Sequence, residues 1–184
     1  MPMQRLPPWI ESGSFFLALI AGSVNAVGLM GFSHQAVSHL TGTATFFSLD
    51  IIQNNAKEAW HLSFIMLSFV FGAMLSGFIV QNMTLKLGRR YGVVLFIEAS
   101  LLALAAASLD SGLNWGHFLA SAACGLQNAM ISTYSASSIR TTHVSGMFTD
   151  IGIMFGQRLR GYPVDARRLK LYLILIFGTN SSVN

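Results

Sequence analysis

The sequence predicts an all-α, polytopic membrane protein with two inverted repeats, each holding a short re-entrant or broken helix, the second repeat incomplete. Three observations predict it. Hydrophobic residues make up 53% of the 184 residues and charged residues only 10%, against roughly 25% charged in an ordinary soluble domain. Residues 12–38, 61–85 and 111–139 contain no Asp, Glu, Lys or Arg, and residues 91–109 contain Glu98 alone. Finally, Ser38-His39-Leu40-Thr41-Gly42 recurs as Thr142-His143-Val144-Ser145-Gly146.

A helix needs about 20 apolar residues to cross the hydrocarbon core. The uncharged runs predict full spans at about 15–32, 62–80, 91–107 and 115–134, with a shorter apolar run at 169–177. A soluble bundle of this size would need a charged shell that the chain lacks. The first run is read as a retained span. Only Arg5 precedes it, and no small-x-small cleavage site with a polar mature region follows. One cysteine, Cys124, lies inside an apolar run, which suits core packing and excludes an internal disulfide framework. The net charge of +4 does not signal nucleic acid. The basic residues sit in short loops beside apolar runs, with no basic helix or aromatic-basic alternation.

Charge placement sets the orientation. Arg5 precedes the first span, Lys86, Arg89 and Arg90 follow the second, and Arg140 follows the fourth. Arg158, Arg160, Arg167, Arg168 and Lys170 fill the next loop, and Lys57 stands apart. The positive-inside rule places the N-terminus and the loops at 81–90 and 157–170 in the cytoplasm. Residues 38–52 then begin and end on the outer side, and residues 142–155 begin and end on the cytoplasmic side. The two copies of the motif enter from opposite faces, as an inverted-topology repeat requires. Full crossings by these short segments would make the repeats parallel and the charges poorly sided. One membrane domain, residues 1–184, is expected, with repeat one at about 13–108, repeat two at about 113–178 and a polar tail at 179–184.

The chain resembles the YoaK family, bacterial multi-pass inner-membrane proteins built on a domain of unknown function. The resemblance rests on five stretches in order. They are Ala21-Gly22-Ser23-Val24-Asn25-Ala26, Ser38-His39-Leu40-Thr41-Gly42-Thr43, Phe71-Gly72-Ala73-Met74-Leu75-Ser76-Gly77, Gly125-Leu126-Gln127-Asn128-Ala129 and Thr142-His143-Val144-Ser145-Gly146. It covers about residues 13–178 and implies a location in the bacterial inner membrane. The chain departs from it twice. Family members often carry an acid where Asn25 stands here. They also run on through a last pair of apolar helices, whereas this chain turns polar at Thr179, which reads as a truncated second repeat.

Chemistry concentrates at the turns. Thr41-Gly42 and Ser145-Gly146 set a hydroxyl beside a glycine that permits a sharp bend. The helices expected to follow, 43–52 and 147–155, aim free N–H groups and a positive dipole end at the break, which favours an anion. The hydroxyls of Thr41, Thr43 and Ser145 can donate to such a ligand; Thr41 and Ser145 can equally serve as helix N-caps. His39 and His143 can shuttle protons or recognise an anion, or stay neutral and bonded to a local carbonyl. Asn25 and Asn128, with Gln127, must find partners inside the membrane, either at an opposite broken segment or as helix–helix glue. Glu98 is a proton relay or a neutral acid bonded to Ser100 or a neighbouring helix. Gly72, Ser76, Gly77 and the alanines of residues 103–107 suit close helix packing.

His34 and His39 are badly spaced for one helical face, and no carboxylate or thiol set completes a metal site with His143. No metal, cofactor or catalytic triad is expected, so no enzyme. The expected function is transporter- or channel-like passage of a small polar or anionic solute between the two His-x-[Thr/Ser]-Gly turns. A non-transporting scaffold or accessory subunit is the alternative. Expected partners are the lipid bilayer, that solute and further copies of the chain.

Overall fold

The computed structural model describes residues 8–30, 37–80, 89–134 and 143–180. These form helices and no strands: α1 (Pro8–Met30), α2 (Leu40–Ile52), α3 (Ala56–Ile79), α4 (Arg89–Asp110), α5 (Trp115–Tyr134), α6 (Val144–Leu159) and α7 (Ala166–Asn180). Stretches Ser12–Leu29, Ala56–Ile79 and Arg90–Asp110 are long and apolar enough to cross a membrane. The predicted Arg5, His34, Lys86, Arg140 and Thr142 and the last residues of the polar tail, 181–184, lie outside the described residues.

The chain divides into two compact units, one of residues 24–140 and one of residues 1–23 with 141–184. In the larger unit α5 is the central helix, lying against both α3 and α4, while α2 lies on α3. Small residues make this possible. A Cβ added to Gly72 would stand 1.9 Å from the Ala122 carbonyl oxygen, and one added to Gly125 would stand 2.0 Å from that of Phe69. The backbones of α3 and α5 therefore touch, as small residues permit between helices in lipid. Gly116 lets α5 approach the Ala105 carbonyl of α4 in the same way. Val37, Ala105, Ala120 and Cys124 form a buried cluster here. Of the alanines at 103–107, Ala105 alone is buried, so α4 approaches α5 along one face and leaves the other outward.

The outer surface reverses the soluble pattern. On α3 the exposed row is Trp60, Phe64, Leu67, Phe71, Met74 and Phe78, and the buried row holds Leu62, Ile65, Gly72 and Ser76. Large apolar residues face outward at helical spacing, and small or polar ones face the protein. A lipid environment selects this arrangement, because hydrocarbon does not penalise exposed Phe or Leu. Several hydroxyls are satisfied inside their own helices: Ser63, Ser100 and Thr133 each donate to the carbonyl four residues back. That bond to Phe96 replaces the expected pairing of Ser100 with Glu98.

In the smaller unit, α6 is tied to α7. Tyr172 donates its hydroxyl to Asp150 Oδ2 at 2.5 Å, and Arg168 donates to Asp150 at 3.1 Å and to the Tyr172 oxygen at 2.8 Å. Asp165 caps α7, its Oδ1 accepting the backbone N–H groups of Arg167 and Arg168. The short apolar run expected at 169–177 is the middle of this helix, which continues to Asn180. Its hydroxyl turned inward, Thr179 donates to the Leu175 carbonyl at 2.7 Å, so the polar tail does not stop the helix at 178. Phe15 of α1 and Leu169, Lys170, Leu173, Ile174 and Phe177 of α7 line a crevice of about 370 Å³.

Candidate functional site

The two histidine turns share one local geometry. His39 is the N-cap of α2 with φ −92° and ψ 69°, and His143 is the N-cap of α6 with φ −96° and ψ 60°. The carbonyl of His39 accepts the N–H of Thr43 at 3.1 Å, and that of His143 accepts the N–H of Met147 at 3.2 Å. Two residues into each helix, Thr41 and Ser145 offer carbonyls to the hydroxyls of Thr45 at 3.0 Å and Thr149 at 2.9 Å. Both helices therefore start earlier than the expected residues 43 and 147, and Thr41 and Ser145 lie within the first turn. They are not the caps. Neither capping histidine makes a side-chain cap bond, so the first-turn N–H groups keep their positive character at both helix starts.

The ends match too. Asn54 adopts φ 56° after α2 and Gly161 φ 90° after α6. The next N–H reaches back, Asn55 to the Asp50 carbonyl at 2.8 Å and Tyr162 to that of Gln157 at 3.1 Å. Such a left-handed residue with a back-reaching bond terminates a helix by satisfying its last carbonyls.

The entrance to α2 is buried and non-helical. Val37 and Ser38 are 1% and 5% exposed. Backbone of this kind must find partners inside the protein, and it does. Asn25 of α1 donates Nδ2 to Ser38 Oγ at 2.6 Å and accepts the Ser38 N–H on Oδ1 at 3.0 Å. Ser121 of α5 lies with its Oγ 3.1 Å from the Val37 carbonyl and 2.9 Å from the Ile65 carbonyl. One buried hydroxyl thus joins the α2 entrance, α3 and α5. Asn25 spends its amide on the turn of its own half of the sequence. Ser121 escaped sequence reading because its partners stand far away along the chain.

The remaining expected residues fall into two groups. Buried are Thr43, Glu98, Gln127 and Asn128; His39, Thr41, His143 and Ser145 are exposed, and Gly42 and Gly146 are half-buried. Asn128 donates Nδ2 to the Cys124 carbonyl at 3.1 Å, one turn back on α5. Glu98, 3% exposed, stands midway along α4 within electrostatic reach of Cys124, and its Oε2 has no hydrogen-bond partner. The two glycines differ. Nothing lies within 4 Å of a Cβ on Gly42, whereas a Cβ on Gly146 would meet His143 Cδ2 at 2.2 Å. The imidazole of His143 lies over its glycine; that of His39 does not.

Sequence reading also passed over an aromatic cluster at the N-terminal ends of α3 and α5. The rings of His61 and His117 stand edge to face with centroids 5.4 Å apart, and Phe118 lies 5.0 Å from His61. Each histidine sits alone in an uncharged run, so neither drew notice. Among the described residues, no three His, Cys, Asp or Glu side chains are gathered closely enough to hold a metal ion.

A search of curated proteins returned no match, and a search of solved structures returned none. A family profile described as "Protein of unknown function (DUF1275)" matches residues 13–182. Helices apolar enough to cross a membrane suit that match, and the chain belongs to this family of proteins of unknown function.

Proposed function

We propose that this chain is a multi-pass protein of the bacterial inner membrane, N-terminus cytoplasmic, that passes a small polar or anionic solute at the His39 and His143 turns. The YoaK resemblance and the siding of the basic loops support that location and orientation. The observation that carries the reading is the pair of short helices with the same histidine start and no side-chain cap. A helix start without a capping side chain presents N–H groups and a positive dipole end to an anion. At 13 and 16 residues, α2 and α6 are about 20 and 24 Å long at 1.5 Å per residue, short of a core roughly 30 Å thick. We read them as the broken helices of two inverted repeats, entering from opposite faces. Asn25 and Ser121 hold the first turn, Thr43, Gln127 and Asn128 supply further polar groups, and Glu98 is the proton-coupling acid. No catalytic step is assigned.

The test is flux into proteoliposomes holding the folded chain, across a panel of small anions and polar solutes. Flux of at least one solute, lost on combining His39→Ala with His143→Ala while folding holds, supports the reading. No flux across the panel overturns it. A scaffold role is the second reading. It is favoured by the pairing of Ser38 with Asn25, in which the Ser38 hydroxyl oxygen and backbone N–H both bond within the protein. Loss of assembly in the double histidine variant, with no flux by the parent, selects it.

A further inference from the structure

We propose that the crevice beside α7 holds one anionic phospholipid, with an acyl chain against Leu173 and Phe177 and the phosphate at Lys170 and Arg167. The site uses neither histidine turn. It rests on the membrane location proposed above and not on solute passage.

A comparison of α7 with α3 indicates what covers this face. Phe177-Gly178 of α7 matches Phe71-Gly72 of α3, and Leu173 then matches Leu67. Each glycine is buried against a neighbouring helix. Gly72 meets the backbone of α5, and a Cβ on Gly178 would stand 3.0 Å from the Phe15 carbonyl oxygen of α1. The other two residues of each set face outward. Leu67 and Phe71 are 61% and 65% exposed, and Leu173 and Phe177 are 43% and 66% exposed. Large apolar side chains turned outward at the same register on both helices fit a hydrocarbon surrounding, which does not penalise them. One position breaks the match. Where α3 carries the outward Phe64, its ring 5.9 Å from Phe118 of α5, α7 carries the exposed Lys170. Lys170 and Phe15 line the crevice together.

The charge at this end of α7 fits a phosphate. Residues 157–170 hold five cations and one acid, Asp165. Arg168 is taken by Asp150 and Tyr172, and Asp165 accepts the N–H groups of Arg167 and Arg168. Arg167 and Lys170 are exposed and three residues apart, which makes them neighbours on the helix surface. A lysine on a lipid-facing row lays its stem along hydrocarbon and keeps its ammonium at the headgroups. From Lys170 to Phe177 the helix rises about 10 Å at 1.5 Å per residue. An acyl chain leaving a phosphate at Lys170 therefore passes Leu173 and reaches Phe177. Basic pockets beside membrane helices select anionic headgroups, whereas a zwitterionic headgroup carries its own competing cation.

The test is native mass spectrometry of the full chain in mild detergent, titrated with dioleoyl phosphatidylglycerol or dioleoyl phosphatidylcholine. These lipids share their tails and differ in headgroup charge. One retained phosphatidylglycerol per chain is expected, held at least about tenfold more tightly than phosphatidylcholine, as two cations imply. Lys170→Gln should weaken it about fivefold, and adding Arg167→Gln should abolish the preference. Leu173→Trp fills the crevice and should remove retention; Ile174→Trp replaces it if that variant does not fold. Lys57→Gln, which removes a cation from α3, should change nothing. Equal retention of the two lipids overturns the proposal. Retention that survives Leu173→Trp, or that falls as far in Lys57→Gln as in Lys170→Gln, overturns it too. Chain dimers in place of the lipid adduct, lost in Leu173→Trp, would assign the crevice to a second copy instead. The measurement reads lipid and not flux, so its outcome is distinct from that of the flux assay.

Discussion

Helices α2 and α6 begin with the same capping histidine conformation and end on the same kind of left-handed residue, yet they are held by different physics. The entrance to α2 is buried, and its polar backbone is consumed by Asn25 and Ser121. Helix α6 instead rests on a half-exposed ion pair, Arg168 with Asp150, joined by Tyr172. Local sequence sets how each helix starts and stops, while the neighbours decide how strongly it is fixed. Buried hydrogen bonds are costly to break, because the stranded partner cannot turn to water. An ion pair whose side chains are 42% and 38% exposed contributes little.

The largest expected effect comes from Asn25→Leu. It strands the N–H and hydroxyl of Ser38, and we expect a loss of about 2–4 kcal/mol, read as a lower melting temperature in detergent. Ser121→Ala should cost about half as much. Hydrogen exchange should rise at the α2 entrance in both variants while α6 keeps its protection. Equal loss of protection in α6 would remove the contrast.

The equivalent glycines sharpen it next. Gly42→Ala enters open space and should stabilise by about 0.5–1 kcal/mol through helix propensity. Gly146→Ala must displace the His143 ring, so its melting temperature should not rise. The smallest effect belongs to Asp150→Asn, which should shift stability by less than about 1 kcal/mol and lose its influence in high salt.

Much of this fold was legible in the sequence because lipid imposes a simple rule: uncharged runs become helices. The span expected at 115–134 coincides with α5. The spans expected at 15–32, 62–80 and 91–107 overlap the three stretches long and apolar enough to cross a membrane, whereas α5 forms a helix at 115–134 without being among them. The three shorter helices fall near their expected places, and Cys124 packs in the core. The cap positions were misplaced by two residues. Ser and Thr lead the N-cap preferences through a side-chain bond, and here the capping residues are histidines that make none. What could not be read was any contact between distant segments. Ser121 pairs with Val37 and Ile65, and His61 meets His117, only because close approach at Gly72 and Gly125 brings α5 onto α3. Glycine content hints at close packing, but it does not name the residues brought together.

The most direct measurement is the sidedness of the two turns. In a Cys124→Ser background, Thr41→Cys and Ser145→Cys place one thiol each at an exposed first-turn position of α2 and α6. An impermeant maleimide added to intact cells should label the variant at Thr41 and spare the one at Ser145, which should react only in inverted vesicles. Labelling of both from the same side would contradict the inverted arrangement and, with it, passage between the two turns.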